Sequence, residues 1–577
     1  MQQEGNLCET TTPPNLLHSD HTLYLDGESL TCEDLYRIGY EPHLKIALTQ
    51  QAKDRITEAR KIVDNIIHTN QVKYGINTGF GHFATTVIAK EDIEDLQKNL
   101  IRSHAAGVGD YLPLERAKML LALRINVLAK GFSGIRLETV ERLVKAFNAG
   151  CISAVPCKGS VGASGDLAPL AHMALGMMGE GMMYNPSTKT YEDAAKVLKE
   201  HGVQPIEVHA KEGLALINGT QFICALGTDA LVRSINLVRI ADVVGAMTLE
   251  ALRGSFKAFD ARIHKARRHT GQQKVAGRMR HMLFTEKVES EKKVFEISEI
   301  SASHWNCSRV QDAYTLRCIP QVHGVVNDTV EFCRGVMENE LNAATDNPMV
   351  FIDPNGSNVP NSRHIHFEDN EDFHSHLHHY TTADENDEQI VSGGNFHGEY
   401  PAKIMDYLGI GITELANISE RRIARLIDGN LSGLPAFLVK EGGLNSGFMI
   451  AHCTASALTS ENKVLAHPSS NDTLSTSAAK EDHVSMGPFA SMKCLDIVKN
   501  VEYVLAIELM CACQGIDLLR PLKTTPILEK VYELVRSEVP TYEKDRFLSP
   551  DIEKICHLIR TGKVWQVIKD DIPTEMH

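Results

Sequence analysis

Apolar residues recur at helical spacing along much of the chain. Residues 114–130 are rich in Leu, Ala, Met and Arg and follow Pro113, which predicts a helix that starts at this proline. A second helix is predicted after residue 136, since Leu137, Val140 and Leu143 share one face and Gly150 is a typical C-terminal residue.

Longer apolar patterns predict a helical bundle. Residues 222–252 contain no proline and predict one long helix or two stacked ones, and 335–347 and 503–518 look similar. Helices with extensive apolar faces usually pack side by side. The chain is therefore predicted to be mainly α-helical.

Strand signals are weak and local. Residues 22–25 predict a short strand before Asp26-Gly27, and Thr31 resembles the N-cap of a helix. Residues 353–388 are polar, acidic and crowded with histidine, which predicts a surface loop inserted between better-ordered pieces.

Composition and charge narrow the possible partners. The 577 residues are too many for one ordinary domain, and 43% are hydrophobic, which is typical of a globular protein. The net charge of -15 argues against nonspecific nucleic-acid binding. There is no run of eighteen or more apolar residues, and residues 1–20 look like a loose tail rather than a secretory signal. We expect no nucleic-acid and no membrane partner.

The cysteines indicate a reducing compartment. The sequence has 13 of them, an odd number, scattered without paired metal-binding spacing. Cys511 and Cys513 lie in an apolar stretch, which suits buried thiols. A cytoplasmic location is therefore predicted.

The most informative segment is glycine-rich. Residues 159–172 read Gly-Ser-Val-Gly-Ala-Ser-Gly-Asp-Leu-Ala-Pro-Leu-Ala-His. A phosphate loop would need a Gly-Lys-Ser/Thr end, and a nucleophile elbow would need a glycine in place of Asp166. The ordinary alternative is a flexible loop that leads into a helix capped by Asp166.

Ala163, Ser164 and Gly165 also suit a covalent rearrangement. In a tight bend the Gly165 nitrogen can close onto the Ala163 carbonyl carbon, giving a five-membered ring. Loss of water from this ring and from the Ser164 side chain leaves a methylene group conjugated to a carbonyl. Such a group is an electrophile that no ordinary side chain provides, and it would act as a built-in cofactor.

With this segment the chain closely resembles the histidine and phenylalanine ammonia-lyase family, whose prosthetic group is 4-methylideneimidazole-5-one (MIO). The resemblance continues from about Leu25 to Pro521 through further motifs. These are residues 74–81 (Tyr-Gly-Ile-Asn-Thr-Gly-Phe-Gly), 103–107 (Ser-His-Ala-Ala-Gly), 216–221 (Leu-Ile-Asn-Gly-Thr-Gln), 311–317 (Gln-Asp-Ala-Tyr-Thr-Leu-Arg), 345–348 (Thr-Asp-Asn-Pro), 392–398 (Ser-Gly-Gly-Asn-Phe-His-Gly) and 481–487 (Glu-Asp-His-Val-Ser-Met-Gly).

The resemblance implies a fold of the fumarase/aspartase-like superfamily, with a long central helical bundle and a smaller mixed N-terminal domain that bears the MIO group. The domains expected are a tail at 1–20, an MIO-bearing domain at 21–221, a bundle at 222–535 that contains the insertion 353–389, and a C-terminal helical segment at 536–577. A homotetramer with shared active sites is also implied.

The resemblance also implies roles for individual residues. The reaction must break a weakly acidic C–H bond and a C–N bond to a poor leaving group, so it needs an electrophile and a positioned base. The implied catalytic residues are Tyr74, Ala163, Ser164, Gly165, Asn218 and Tyr314, and the implied substrate-binding residues are His104, Gln311, Arg317, Phe396 and Glu481. Tyr314 is the implied base, although a free tyrosine loses its proton only near pH 10 or so. Arg317, three residues on, would hold the substrate carboxylate.

His104 and Glu481 favour L-histidine as the substrate. In family members that act on histidine, a His-Ala pair and a Glu occupy the matched positions. A carboxylate can pair with an imidazole nitrogen, whereas it would be stranded against a phenyl ring. The expected reaction gives trans-urocanate and ammonia, the first step of histidine degradation, with no external cofactor and no metal.

The sequence departs from the family pattern at three places, and three alternative functions stay open. Ala313 stands where many relatives have proline, Lys480 precedes Glu481, and the insertion has no counterpart. The histidines of the insertion, His364, His366, His374, His376, His378 and His379, suit either a transition-metal site or a disordered acidic loop. The alternative functions are a tyrosine or phenylalanine ammonia-lyase, an aminomutase, and an inactive helical scaffold.

Overall fold

The computed structural model describes residues 21–69, 71–83, 85–289, 292–304, 310–352 and 389–577. The described chain is mainly helical, as predicted, and its strands are short. It divides into two compact units, each made of several chain segments. The first comprises Met1–Thr228, Met337–Pro401 and Asp472–Pro488, and the second comprises Asp229–Val336, Ala402–Asn471 and Phe489–His577. The three folded domains expected from the sequence are continuous stretches of chain, unlike these units, and their bounds stay a prediction.

The first unit mixes helices with small sheets. Its helices are Cys32–Tyr40, Gln50–His68, Ile93–His104, Leu114–Ala129, Leu137–Ala149, Leu167–Met177, Ala194–Glu200 and Glu212–Ile217. Its strands are Thr22–Leu25, Lys45–Leu48, Val108–Tyr111, Ile152–Ser153, Pro156–Lys158, Met182–Asn185, Thr190–Asp193, Met349–Val350 and Ile390–Val391. The first two strands pair in parallel, and the other pairs are antiparallel.

Several local predictions for this unit are confirmed. The strand Thr22–Leu25 forms, and the Thr31 hydroxyl caps the next helix by accepting from the Asp34 amide over 3.1 Å. The helix Leu114–Ala129 follows Pro113 and is buried on nearly all sides, so it lies at the centre of the unit. The helix Leu137–Ala149 ends at Gly150, which has a left-handed φ of 75°.

The second unit is built from long helices, as predicted. Four of them have most of their length in this unit: Gln221–Ala251, Ile319–Leu341, Glu399–Ile427 and Gly487–Leu519. The others are Ala261–Ala266, Thr270–Leu283, Glu299–Ser303, Tyr314–Arg317, Gly429–Ser432, Met449–Leu465, Pro526–Glu538, Ser549–Arg560 and Lys563–Gln566, and the strands Phe284–Glu289 and Lys292–Ile297 form a hairpin. No helix in the described residues is long and apolar enough to cross a membrane.

Buried ion pairs tie these long helices together. Arg422 donates to both carboxylate oxygens of Glu508, and Glu508 also accepts from Thr248. Asp242 accepts from Arg278 and bonds His323, each over 2.7 Å. Removing one partner of such a pair would leave a buried charge uncompensated and costs about 3–5 kcal/mol.

One predicted helix was placed too far along the chain. Residues 335–347 were expected to be helical, but the helix is Ile319–Leu341 and ends six residues earlier. Asn342 stops it, because its side chain accepts from the Leu30 amide and donates to the Leu30 carbonyl, each over 2.9 Å. Pro348 also disfavours helical backbone at Asn347 before it.

Candidate active site

A large cavity in the first unit collects most of the residues that the sequence singled out. Its volume is about 1410 Å³. The predicted site residues on its wall are Tyr74, His104, Ala163, Ser164, Asn218, Phe396 and Glu481. They come from segments far apart in sequence, so the fold brings them together. Gly165 follows directly behind Ser164 and is buried.

The segment 163–165 is bent and tightly enclosed. Gly165 has a left-handed φ of 73°, and a Cβ atom there would lie 2.2 Å from the Gly219 carbonyl oxygen. Only glycine fits this position. The Asp166 amide donates to the same carbonyl over 2.7 Å, which fixes the far side of the bend. Small residues at 163 and 165 and a serine between them fit the ring that the sequence chemistry requires.

The Asp166 side chain caps a different helix from the one that the ordinary alternative interpretation assigned to it. It immediately precedes Leu167–Met177, but its side chain makes no capping bond there. Instead Oδ2 accepts from the amides of Phe222 and Ile223, at 2.9 and 3.0 Å, and so caps the helix Gln221–Ala251. Burial raises the pKa of Asp166 to about 7, although these hydrogen bonds oppose the shift.

Asn218 lies against the reactive segment. It follows the helix Glu212–Ile217, and its Nδ2 donates to the Ser164 carbonyl over 2.9 Å. The Asn218 carbonyl in turn accepts from Arg124, which is fully buried and also donates to Gln221 over 2.9 Å. Burial lowers the pKa of Arg124 to about 10, so it stays a cation at neutral pH. A fixed positive charge thus contacts the main-chain carbonyl of Asn218.

Glu481 contacts the side chain of Ser164, whereas Asn218 contacts its main chain. The Ser164 hydroxyl donates to Oε1 of Glu481. Oε2 accepts from Thr476 over 2.7 Å and from Ser477 over 2.8 Å. The loop between these residues is strained, because Ser477, Ala478 and Ala479 all have left-handed φ values of 54–63°. The two oxygens of the carboxylate therefore have separate partners, Oε1 on the reactive segment and Oε2 on this strained loop.

The electrostatics of Glu481 and His104 differ. Burial raises the pKa of Glu481, but hydrogen bonds from Ser164, Thr476 and Ser477 outweigh it and leave the pKa below its usual value. Burial lowers the pKa of His104, more than its bond to Leu100 and the charge of Glu481 raise it. The His104 Nδ1 bonds the Leu100 carbonyl over 2.8 Å, so this nitrogen holds the proton of the neutral ring. The neutral ring thus has Nε2 as an acceptor.

Tyr74 lies on a glycine-rich loop at the cavity wall. Its ring packs edge-on against Phe80, with centroids 6.4 Å apart. Its hydroxyl accepts from the Gly81 amide over 3.5 Å. Phe396, on the same cavity wall, is half-buried. Both aromatic rings are thus partly open to the cavity.

Gln311, Tyr314 and Arg317 belong to the second unit. Tyr314 begins the short helix Tyr314–Arg317, and its side chain is 73% exposed. The Arg317 guanidinium lies over the Tyr314 ring, 5.0 Å from its centroid, and donates to the Asp312 carbonyl over 3.1 Å. Tyr314 and Arg317 thus form a pair on one turn, as their spacing predicts.

The three departures from the family pattern are Ala313, Lys480 and the insertion, and they lie in different parts of the chain. Ala313 is the N-cap of the Tyr314 helix and has the extended backbone that a proline would also adopt, with φ of −61°. Lys480 lines the cavity beside Glu481 and brings a positive charge to its wall. The insertion 353–388, with its histidines, lies outside the described residues.

One cluster at the cavity wall resembles a metal site. Side-chain ligand atoms of His397, Glu399 and His483 lie within 4.8 Å of one another. The ligands of a bound zinc ion lie about 3.3 Å apart, given its metal–ligand distances. His397 also bonds the His483 carbonyl through Nε2 over 3.1 Å. His483 Nε2 and Glu399 Oε2 are 4.0 Å apart, so the cluster is wider than the ligand set of a bound zinc ion.

Sequence reasoning missed three residues around the site. Thr476 and Ser477 lie in a run of small polar residues that looks like an ordinary loop, and nothing local links them to Glu481. Arg124 is the one charged residue in the apolar run 119–129, and a charge in such a run is the only sequence signal of a buried partner. The sequence therefore indicates that Arg124 has a buried partner, but it does not indicate which residue that partner is.

Comparison with known proteins places this geometry in a family. The chain matches the family described as aromatic amino acid lyase over residues 30–537. It is 56% identical to a histidine ammonia-lyase of Mus musculus over 543 residues, which are 94% of this chain and 76% of the relative.

Two solved structures have the same fold. One is the histidine ammonia-lyase of Trypanosoma cruzi, with 51% identity, a TM-score of 0.83 and 96% of each chain covered. The other is the tyrosine aminomutase of Streptomyces globisporus, with 32% identity, a TM-score of 0.82, and 96% of this chain and 99% of that chain covered. The resemblance inferred from the motifs is thus confirmed over nearly the whole chain, and this protein belongs to the aromatic amino acid lyase family.

Proposed function

We propose that this protein eliminates ammonia from L-histidine and releases trans-urocanate. The observation that carries the proposal is the position of Glu481, whose carboxylate contacts Ser164 inside the cavity while His104 lies on the same wall. The family includes enzymes for several aromatic amino acids, so the residues facing the substrate ring decide among them. In this chain they are proposed to be Glu481, an ionised carboxylate, and His104, a polar ring.

The electrophile is proposed to be MIO, formed from Ala163, Ser164 and Gly165. When present, this group supplies an electron-poor methylene that captures the substrate and makes the C–N bond breakable. The residues around the segment fit it. The left-handed Gly165 and its contact with Gly219 favour the bend, and the Asn218 amide lies at the Ser164 carbonyl. Backed by the Arg124 cation, this amide stabilises negative charge on that oxygen.

Glu481 and His104 would bind the substrate imidazole. An ionised Glu481 would accept a hydrogen bond from the single N–H of a neutral substrate imidazole, and Nε2 of a neutral His104 would accept from the second N–H of a protonated one. Both are partly buried, so water competes weakly with the substrate. A phenyl ring would offer these groups no donor and would leave the carboxylate unpaired. This difference favours histidine over phenylalanine.

Tyr314 and Arg317 would complete the chemistry. Arg317 would bind the substrate carboxylate with two parallel hydrogen bonds, and Tyr314 would take the β-proton. The Arg317 guanidinium lies over the Tyr314 ring, 5.0 Å from its centroid, and this contact keeps the two side chains next to each other. Tyr74 and Phe396 would close the substrate off from water.

A direct assay tests the activity. The purified protein is incubated with L-histidine, L-tyrosine and L-phenylalanine while ammonia release and product absorbance are followed. We expect urocanate from histidine and much slower turnover of the others, and none from Ser164→Ala. Preference for tyrosine or phenylalanine would reject the histidine assignment, and a β-amino acid product would identify an aminomutase.

We also propose that the enzyme is a cytoplasmic homotetramer with shared active sites. No disulfide bond joins any two cysteines of the described residues, which suits a reducing compartment. Tyr314 is 73% exposed in a single chain, which suits a role toward another copy. Co-expression of Ser164→Ala with Tyr314→Phe tests the sharing. Shared sites would regain activity in mixed oligomers, whereas sites built from one chain would stay inactive.

A further inference from the structure

The strongest unassigned relationship in the cavity links Glu481 to the hydroxyl of the unreacted Ser164. The two residues are 317 positions apart in sequence, so the fold has to bring them together. Neither substrate nor product takes part in this contact. The hydroxyl is also the group that must leave if residues 163–165 become an electrophile.

We propose that Glu481 is the acid–base group that delivers a proton to Ser164 Oγ when the MIO ring forms. The inference rests on the proposed function, since it concerns the maturation of the same site. It gives Glu481 a role before any substrate is present. A residue assigned to substrate recognition would then also build the electrophile.

The proton balance shows why such a group is needed. Ring closure joins the Gly165 nitrogen to the Ala163 carbonyl carbon, and that carbonyl oxygen leaves as water with the amide hydrogens of Gly165 and Ser164. The second step breaks the Cα–H and Cβ–Oγ bonds of Ser164 and forms a Cα=Cβ double bond. Oγ leaves as water with its own hydrogen and one more proton, equal to the proton that Cα loses. Hydroxide is a poor leaving group, so this proton must reach Oγ as the bond breaks.

The surroundings of Glu481 suit this transfer. Its Oε1 already lies at hydrogen-bonding distance from Ser164 Oγ, so a proton on the carboxylate reaches Oγ once the hydroxyl hydrogen has rotated away. Its Oε2 is held by Thr476 and Ser477, which fixes the direction of Oε1. The lowered pKa of Glu481 keeps it ionised, and so ready to take up the proton that Cα releases. It ends the reaction in the state in which it began.

The same contact orders maturation and substrate binding. Before the ring forms, Oε1 is occupied by the serine hydroxyl. Once Oγ has left as water, Oε1 loses this donor while Oε2 keeps Thr476 and Ser477. The carboxylate is then pre-oriented, with one oxygen open for an imidazole N–H. The reaction that makes the electrophile thus also frees the group proposed to recognise the substrate.

The experiment follows the mass of the peptide that contains residues 163–165, not the activity. The full chain is made by cell-free synthesis, quenched at intervals, digested and analysed by mass spectrometry. Wild type should lose two waters. Glu481→Gln keeps an acceptor oxygen but cannot transfer a proton. In this variant the loss of the second water, which carries Ser164 Oγ, should be about 10²-fold slower or more, so the peptide should keep that oxygen. Asp482→Asn, which removes the neighbouring carboxylate, should match wild type.

Folding and rescue are measured on the same samples. Circular dichroism establishes that Glu481→Gln is folded, and formate added to Glu481→Ala should speed the loss of water by restoring a carboxylic acid at the site. Loss of two waters from folded Glu481→Gln at the wild-type rate would overturn the inference, as would absence of rescue by formate. Absence of water loss in wild type would instead overturn the proposed electrophile itself.

Discussion

The side-chain amide of Asn218 donates to the main-chain carbonyl of Ser164 over 2.9 Å, while the main-chain carbonyl of Asn218 accepts from the buried Arg124. Asn218 is thus held from both ends, by a cation on one side and by the reactive segment on the other. Its N–H needs no reorientation when negative charge grows on the Ser164 oxygen. Preorganised donors of this kind are usually the largest single contribution to catalysis.

Replacing Asn218 should slow the elimination without preventing maturation. In Asn218→Ala we expect kcat to fall about 10²-fold to 10³-fold, as for loss of one preorganised donor. Asn218→Asp should fall further, because a carboxylate oxygen would face the carbonyl. Urocanate absorbance measures kcat, and peptide mass establishes that both waters are still lost. An unchanged kcat in a mature Asn218→Ala protein would contradict this role.

The reactive segment could be predicted from the sequence because its chemistry is local. Ala163, Ser164 and Gly165 are consecutive, so bond formation among them can be inferred without a fold. The partners of Ser164 could not be found this way, since Asn218 and Glu481 lie 54 and 317 residues away. Their roles came from the family resemblance. Thr476 and Ser477, whose importance depends on the position of Glu481, were missed.

Gly165→Ala should block formation of the ring. A Cβ atom at this left-handed position would lie 2.2 Å from the Gly219 carbonyl oxygen, which is a backbone atom and cannot move aside as a flexible side chain could. We expect the peptide that contains residues 163–165 to keep both waters, and the protein to show no activity.

Gly202→Ala is the matched control for this change. Gly202 also has a left-handed φ, of 66°, but no atom lies within 4 Å of an added Cβ. It should cost about 1 kcal/mol of backbone strain and leave the water loss unchanged. If Gly165→Ala matured like Gly202→Ala, the bend at residues 163–165 would not be the requirement inferred here.

Thr476→Val and Ser477→Ala should move the acid limb of the pH profile. Each removes a donor that lowers the pKa of Glu481, so that pKa rises. Glu481 would then protonate at a higher pH as the solution is acidified, and kcat/KM for histidine would fall at a higher pH than in wild type. Near neutral pH, KM should rise about tenfold in the double variant, while kcat changes less.

Ser475→Ala serves as the control in the same loop. Ser475 is exposed, and its hydroxyl makes no hydrogen bond to Glu481. Its pH profile should coincide with that of wild type. An acid limb that stays in place in the double variant would show that Thr476 and Ser477 do not hold the carboxylate that binds the substrate.

The fold was predictable where short-range signals decide it. The Thr31 cap and the Gly150 end of a helix depend on neighbours within a few residues, and both are found. The helix 335–347 was wrong because its true end depends on a contact between Asn342 and Leu30, 312 residues away. Asp166 shows the same limit, since its side chain caps a helix that begins 55 residues later rather than the one it precedes.

Asp166 should make the stability of the protein depend on pH between about 4 and 7. Its pKa is raised from 3.8 to about 7 by burial, so the folded state holds a proton that the unfolded state has released. The stabilisation that the folded protein gains from holding this proton is fully present below about pH 4. It is lost progressively as the pH rises to about 7, above which both states are ionised and the cost is constant.

Asp166→Asn isolates this effect, because its side chain is neutral at every pH and its oxygen can still accept from Phe222 and Ile223. Relative to wild type, the variant should gain stability between pH 5 and pH 8, by roughly 2–3 kcal/mol from the shift alone. The measurement is the melting temperature of each protein at both pH values. The difference between variant and wild type should move in favour of Asp166→Asn at pH 8. A difference that stays constant, or that moves toward wild type, would mean that Asp166 is ionised in the folded protein throughout this range. In that case the two backbone amides would outweigh burial, and the helix Gln221–Ala251 would be capped by a charge rather than by a neutral acid.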